Sequence, residues 1–569
     1  MIPLRSFPGG PKILGANLAK WFVTAALIGV ATGVAVAGLD FAVARPWEAL
    51  QELMVRYPLL ALMAPVAGLT LTGVIRDRLT IDPNMHGTEE VLEAYHERNG
   101  RLEIRDLMPK AVASATTIGL GGSAGLEGPS IHIGGGVGVA LERLIRRLGV
   151  RTDRRILLMT GAAAGIGAVF KAPLTGLIFA LEVPYKEGLE HKAVVPALIA
   201  SVASYLTLCS ILGTKPIFRY PSVYASVDLF IVLFAVAEGL VAGAASVGFV
   251  KLINAVESVW GEDTPYTLRG FLSGLGVGLI GLTSVTFFGG PHPLGTSYDL
   301  VRGALASRWG AEFFATMLLL KALTTALTLG GAGVGGVFIP TIVMGSALGA
   351  VWGQTLGRNE DLFVALGMSA MLSAGFKTPL TSVAFVAETT GSEFYLIPSI
   401  VASAAAYLIS GPTSLPKNQR LMERIGLQDI GDIPVREGMG PAPPTVDARA
   451  TLKEFVDEVL IKHPEFLTYP VVENGRVIGV IEVEDVERLA PELWEKTMVG
   501  DVARLGYPFV EPEEPVEAAV HKMYEYGVAC LPVVEEGTRV VGSISAINVI
   551  ALMELRARLR KFSIFAPLS

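Results

Sequence analysis

Charge is what this sequence has least of. Asp, Glu, Lys and Arg make up 17% of its 569 residues and 51% are hydrophobic, against roughly a quarter charged in a soluble domain. A surface so poor in charge needs lipid over part of it. The charges present do not favour the basic sign: the net charge is -7, which excludes the basic footprint of a nucleic-acid-binding protein. Cysteine is almost absent. Cys209 and Cys530 are too few and too far apart for a disulfide framework or a metal site, and read as small buried hydrophobes. No cleavable leader is visible either. The first apolar stretch, Trp21 to Ala44, has no small-residue cleavage site and is followed by many others. It is long enough to span about 30 Å of hydrocarbon. Arg5, Lys12 and Lys20 precede it with no acid between them, which places residues 1–20 in the cytoplasm.

What the chain does have is a series of long apolar runs. After the first come Pro58 to Ile75, Ala193 to Gly213, Val227 to Val250, Phe271 to Phe288, Phe313 to Leu329 and Leu396 to Ser410. Shorter pieces broken by Gly and Pro lie between them, such as Ile156 to Phe170 and Leu174 to Leu181. These are too short to cross a bilayer alone, so their helix ends fall inside the membrane. Free backbone groups there need partners that lipid cannot supply, and an ion pathway is one place where they are tolerated.

The chain also repeats itself. Phe170-Lys171-Ala172-Pro173-Leu174-Thr175 recurs as Phe376-Lys377-Thr378-Pro379-Leu380-Thr381, 206 residues later, and Glu182 and Glu388 each follow their lysine by eleven residues. Upstream of each block a glycine-rich string, Gly121 to Gly125 and Gly330 to Gly333, leads into Pro129 and Pro340. Two motifs in the same order at nearly the same spacing argue for duplicated halves. The repeat does not say whether the halves are parallel or inverted.

From about Gly411 the composition changes. Thr451 to Val459 has a helical pattern, Thr468 to Val472 reads as a strand, and Asn474-Gly475 is a hairpin turn into the strand Arg476 to Glu482. The pattern repeats: Tyr469 to Glu473 matches Leu531 to Glu535, and Val477-Ile478-Gly479 matches Val540-Val541-Gly542. This is a soluble α/β unit present twice.

The chemistry concentrates in Gly125-Leu126-Glu127-Gly128-Pro129. Glycine lets backbone approach a ligand closely, and proline suits the first turn of a helix. A helix N-terminus favours an anion, and equally a carboxylate, so Glu127 is placed to compete with a transported anion for one site. The equivalent stretch of the second half, Gly335-Gly336-Val337-Phe338-Ile339-Pro340, has no side-chain charge. The N–H groups of Val337 and Phe338 offer an anion weak, reversible binding, which conduction requires.

Together these motifs resemble the CLC family of chloride channels and chloride/proton exchangers. Gly125 to Pro129 is similar to its G-x-E-G-P motif with the gating glutamate, and Gly336 to Pro340 to its G-x-F-x-P motif; the resemblance covers most of residues 15–425. It implies an α-helical polytopic membrane domain of two inverted repeats, a homodimer with one pore per subunit, and a transport protein rather than an enzyme. It assigns Gly125, Leu126, Gly128, Val337 and Phe338 to the anion site, and with them His86 and Gly87 of Met85-His86-Gly87-Thr88-Glu89-Glu90. Three departures stand out. Glu89 replaces the proline of that first motif, and a helix first turn is the better reading for it. The family's central tyrosine aligns near Pro416, where no tyrosine exists. Val183 follows Glu182 where proton-coupled members usually carry a second glutamate, which resembles the channel members.

The C-terminal repeats resemble CBS domains, so the expected plan is a membrane domain over 21–425, a linker and first CBS domain over 426–497, and a second with a tail over 498–569. Ser545 and Asn548 of Gly542 to Asn548 are similar to the family's ribose-contacting pattern, which implies a possible adenine nucleotide, ATP or AMP, and no required cofactor or metal. The first copy keeps Asp485 but has Glu482 where the hydroxyl belongs. The function expected is permeation of a small monovalent anion, chloride first, gated by Glu127 and channel-like, in the cell's inner membrane with the CBS pair cytoplasmic. An exchanger of chloride or fluoride for protons is the alternative. A CBS-containing metal-ion transporter would need clustered cation ligands, and a membrane nucleotide sensor would leave the Gly125–Pro129 motif without a purpose.

Overall fold

The computed structural model describes residues 10–84, 87–147, 153–218, 228–261, 263–358, 360–421, 430–431 and 433–563. The chain forms two compact units, Met1–Met422 and Glu423–Ser569. Among the described residues the regular elements of the first unit are all helices. Its first half runs α1 (Gly10–Arg56), α2 (Leu59–Leu79), α3 (Thr88–His96), α4 (Leu107–Gly119), α5 (Glu127–Arg147), α6 (Arg154–Val169), α7 (Pro173–Glu182) and α8 (Val194–Leu212). Its second half runs α9 (Leu229–Glu257), α10 (Tyr266–Phe288), α11 (Tyr298–Leu305), α12 (Ala311–Gly330), α13 (Phe338–Leu356), α14 (Glu360–Phe376), α15 (Pro379–Thr390) and α16 (Leu396–Ile409).

Among the described residues six helices are long and apolar enough to cross a membrane: Trp21–Arg56, Leu59–Leu79, His191–Leu212, Leu229–Glu257, Tyr266–Phe288 and Ala311–Gly330. They account for six of the seven apolar runs; the seventh becomes α16, at 14 residues shorter than a full span. The broken pieces behave as their glycine content dictates. A Cβ on Gly134 of α5 would strike the carbonyl of Gly161 on α6, and one on Gly345 of α13 would strike that of Gly367 on α14. Small residues thus let these helices touch backbone to backbone, and α6 and α14 are buried along almost their whole length.

The orientation that the repeat leaves open follows from two carboxylates. Glu182, at the C-terminal end of α7, accepts from Leu380 N (3.0 Å), Thr381 N (2.7 Å) and Thr381 Oγ1 (2.6 Å) at the start of α15. Glu388, near the end of α15, accepts from Leu174 N (2.9 Å), Thr175 N (2.7 Å) and Thr175 Oγ1 (2.7 Å) at the start of α7. Each helix caps the other's orphan N–H groups. Equivalent helices that exchange caps in this way lie antiparallel, so the two halves are inverted. Before each helix a lysine in the left-handed region turns the chain, Lys171 at φ 51° and Lys377 at φ 58°.

The second unit holds two copies of a small α/β motif. In the first, β1 (Val446–Asp447), β2 (Thr468–Glu473), β3 (Arg476–Glu482) and β4 (Arg504–Leu505) form one sheet in that order. In the second, β5 (Cys530–Glu535) and β6 (Arg539–Ser545) pair antiparallel. Both hairpins turn through two positive-φ residues, Asn474-Gly475 and Glu536-Gly537, as a tight twisted turn requires. Each copy has its own apolar core, around Tyr469 and Ile481 in one and Leu531 and Ile544 in the other.

Candidate anion site

Two chain segments from opposite halves meet at Gly125 and Gly336. Each donates its N–H to the other's carbonyl at 2.8 Å. Hydroxyls tie the flanking loops together: Thr328 Oγ1 accepts from Ser123 N at 3.0 Å, and Thr117 Oγ1 accepts from Val334 N at 3.0 Å. The N-termini of α5 and α13 are thereby fixed at one point. Glu127 is the first residue of α5 and is 1% exposed. Its Oε1 accepts from Phe338 N at 2.5 Å, across the junction at the first residue of α13. Its Oε2 is buried and has no hydrogen-bond partner among the described residues.

The glycines of both motifs form the cradle. A Cβ on Gly125 or on Gly336 would collide with the Glu127 carboxylate. Gly87, at φ 68°, stands at the head of α3, and a Cβ there would lie 2.8 Å from Gly128 Cα, so the first motif reaches the same point. The N-termini of α5 and α13 therefore meet at the carboxylate, with the partial positive charge that favours an anion, and the head of α3 abuts Gly128 beside them. Lys321 of α12 is fully buried and within electrostatic reach of Glu127. Its Nζ donates to Gly295 O and Ser297 Oγ, both at 2.8 Å. Phe338 packs among Phe170, Phe385, Phe376 and Phe179, with ring centroids 4.8, 5.1, 5.3 and 6.0 Å away. This wall keeps the neighbourhood apolar, where oriented dipoles act most strongly.

A cavity of about 270 Å³ reaches Gly128, Gly336 and Val337, and Arg76, Arg269 and Lys417 line it together with Glu89 and Glu257. A second, of about 160 Å³, touches Leu126, Tyr298 and Arg302. Arg302 and Tyr298 also line a larger one with Lys171, Lys215 and Arg45.

The structure thus brings together Gly87, Gly125, Leu126, Glu127, Gly128, Val337 and Phe338. His86 lies outside the described residues. Glu89 sits in the first turn of α3 and also lines the first cavity. Leu415, Pro416 and Lys417, the stretch with which the family's central tyrosine aligns, line that cavity. Val183 is elsewhere: it is buried at the end of α7, and its carbonyl accepts from Gln419 Nε2 at 2.9 Å. In the second unit, Asn548 Oδ1 accepts from Ser545 N (2.9 Å) and Ser545 Oγ (2.6 Å), and both residues are half-buried. Asp485 is buried and accepts from Arg504 Nε (3.0 Å) and Nη2 (2.9 Å), while Glu482 pairs with Arg504 at 2.6 Å.

Sequence reasoning missed Lys321 and Gln419. Lys321 did leave a signal, a single lysine inside the apolar run Phe313 to Leu329. Gln419 left none, because its importance comes from bridging Val183 O and Phe376 O, the latter at 2.8 Å.

A family model described as voltage gated chloride channel matches residues 68–411, and a CBS domain model matches 430–492 and 499–554. The chain is 29% identical over 368 residues to a putative chloride channel protein ClcB-like of Ralstonia nicotianae, covering 62% of this chain and 83% of that protein. It is 25% identical over 411 residues to the H(+)/Cl(-) exchange transporter ClcA of Citrobacter koseri, covering 68% and 85%. Its fold is similar to that of a CLC-type fluoride/proton antiporter, with a TM-score of 0.63 at 22% identity over 71% of this chain and 98% of that one.

Proposed function

Because the chain belongs to the voltage-gated chloride channel (CLC) family, with two CBS domains, we propose that it exchanges a small monovalent anion, chloride first, for protons, and that Glu127 serves both. The observation that carries this reading is the Glu127 carboxylate on the Phe338 N–H. A negative group already occupies the place that the N-termini of α5 and α13 prepare for an anion. Ionised, it holds that place. Protonated, it loses its attraction for the amide, and an anion takes the position; the proton then travels with the side chain and the anion without it. Basic groups outnumber acids on two of the cavities, Arg76, Arg269 and Lys417 against Glu89 and Glu257 on the first and Arg45, Lys171, Lys215 and Arg302 against Asp40 and Glu48 on the largest, which raises the local anion concentration there.

The channel-like expectation drawn from Val183 gives way to exchange. The exchange transporter of Citrobacter koseri, alike over 68% of this chain, supports that order. Val183, buried and without a titratable group, favours a channel, as does the Ralstonia nicotianae relative described as a putative chloride channel protein. Proteoliposomes separate the two: an imposed chloride gradient should drive protons uphill, and chloride movement with no proton movement would restore the channel. Fluoride in place of chloride tests the anion.

We also propose a homodimer in the cell's inner membrane, with the N-terminus and the CBS pair in the cytoplasm. Adenine nucleotide fits only the second CBS copy, where Ser545 and Asn548 present a hydroxyl and an amide at a half-buried position. In the first copy Arg504 already engages Asp485, so that set does not fit a ribose.

A further inference from the structure

The cavity of about 270 Å³ that reaches Gly128, Gly336 and Val337 has one wall built from the end of α2 and the start of α10. Asp77, near the end of α2, accepts from Tyr266 N (2.9 Å), Thr267 N (2.9 Å) and Thr267 Oγ1 (2.6 Å), which caps α10 and fixes its first turn. One turn earlier on α2, Gly73 lets the two helices touch, because a Cβ there would strike Tyr266 O. The Tyr266 phenol donates to Asn84 Oδ1 at 2.7 Å, which holds the ring in place. Two guanidiniums lie over that ring, Arg76 at 3.8 Å from its centroid and Arg269 at 4.7 Å.

Arg76 is 4% exposed. Its Nε and Nη2 donate to Pro83 O, and its Nη1 donates to Ala332 O at 3.1 Å. Carbonyls orient a guanidinium without cancelling its charge, and the face of a phenol answers that charge only in part. Arg269 donates Nε to Thr264 O and Nη2 to Gly261 O, both at 2.9 Å, and so stays over the same ring. The acids stand elsewhere. Glu257 is paired with Lys417 at 2.5 Å. Glu89, in the first turn of α3, is within electrostatic reach of Lys417 and Glu257. Asp77, within reach of Arg76, faces solvent and shares its charge with three donors of α10. Both acids that line the cavity thus gather about Lys417, and the charge of Arg76 is there for an anion to answer.

We propose that Arg76 and Arg269, over Tyr266, form a second anion site, for one small monovalent anion, in the cavity that reaches the Glu127 cradle. The proposal deepens the transport reading above and holds for an exchanger and a channel alike. Two guanidiniums on one ring repel each other, and an anion beside both relieves that repulsion. The open cavity lets the anion leave again, as transport requires. Glu89 works against the site, because its carboxylate faces the same cavity with the anion's own sign.

The test joins chloride flux from the full chain in proteoliposomes to bromide anomalous scattering from its crystals. A bromide should lie against both guanidiniums beside Tyr266. Arg269→Gln should lose it and raise the chloride concentration at half-maximal flux about tenfold. Glu89→Gln should shift that concentration the other way, and Arg76→Lys, which keeps a cation at the buried position, should raise it by less than Arg269→Gln. A wild type that moves no anion overturns the transport reading, and the bromide alone then decides the site. In a transporting wild type, the absence of bromide at Tyr266 overturns the site alone. Bromide there with wild-type half-saturation in Arg269→Gln and Glu89→Gln is an adventitious ion only, and also overturns it. If Arg269→Gln does not fold, Glu89→Gln and Arg76→Lys decide, and unchanged half-saturation in both overturns the site.

Discussion

The two halves of the membrane unit are built with the same parts and used differently. Each has a left-handed lysine before a short helix and a carboxylate at that helix's far end that caps its counterpart. At the anion site the symmetry breaks. The first half supplies a charged side chain at the head of α5, and the second supplies only the Phe338 N–H at the head of α13. The shared parts are structural, and a structure duplicated and inverted about one point brings two helix N-termini together at no extra expense in charge. The unshared part is the one that has to change state. A second carboxylate at Phe338 would place two anions at one junction, and the site could then no longer hold a carboxylate and release it for chloride.

The largest effect should come from removing that asymmetry. In Glu127→Ala both halves offer only amides. Proton-driven anion uptake should disappear, passive chloride flux should persist or rise at neutral pH, and its pH dependence should flatten between about pH 4 and 8. Paired flux measurements at several pH values check this; a wild-type pH profile in Glu127→Ala would leave the two halves functionally alike. Gly336→Ala approaches the same end from the uncharged half. Its methyl would occupy the place of Glu127 Oε1, so the carboxylate must leave Phe338 N. The variant should lose coupling as Glu127→Ala does, although Glu127 is intact.

The shared parts should yield smaller and graded effects. Glu182→Ala strips three donors of α15 at a site where Glu182 is 4% exposed. Unsatisfied buried donors cost about 1–3 kcal/mol. Glu388 is less buried than Glu182, so water replaces part of its cap and Glu388→Ala should lower the melting temperature of the detergent-solubilised protein by less. Equal losses would show that the two caps are energetically, as well as geometrically, equivalent.

Much of this was legible in the sequence. The motif at Gly125–Pro129, the repeat and the CBS hairpins all rest on local signals: glycine where backbone touches backbone, proline at a helix start, Asn-Gly at a turn. What was not legible depends on contacts between distant segments. Nothing in Phe376 to Thr381 says that Thr381 will be capped by Glu182, so the inversion could be named only by resemblance. The channel-like expectation rests on Val183 alone, which carries no titratable group. In the first CBS copy, Glu482 stands where the hydroxyl belongs, and the structure pairs it with Arg504, which arrives from 22 residues further along the chain.

That pairing makes the CBS copies a second duplicated set with one altered member, and the smallest effect is expected there. Arg504 bridges Glu482 and Asp485 in the first copy, whereas in the second Ser545 and Asn548 bond to one another. A nucleotide that binds only the folded protein adds about 2.7 kcal/mol of apparent stability at 100 times its Kd. Millimolar ATP or AMP should therefore raise the melting temperature of the intact, solubilised protein, and Asn548→Ala should abolish the rise. The unliganded variant should itself melt slightly lower, because Asn548 Oδ1 accepts from both Ser545 N and Ser545 Oγ at the start of the helix Ala546–Ser563, and losing a bond of this kind costs about 1 kcal/mol. Arg504→Ala is the opposing probe. It releases Asp485 but leaves Glu482 and Asp485 as adjacent uncompensated anions, so it should weaken the first copy without creating a second nucleotide site. A two-site binding isotherm in Arg504→Ala would mean that Arg504, rather than Glu482, is what keeps the first copy empty.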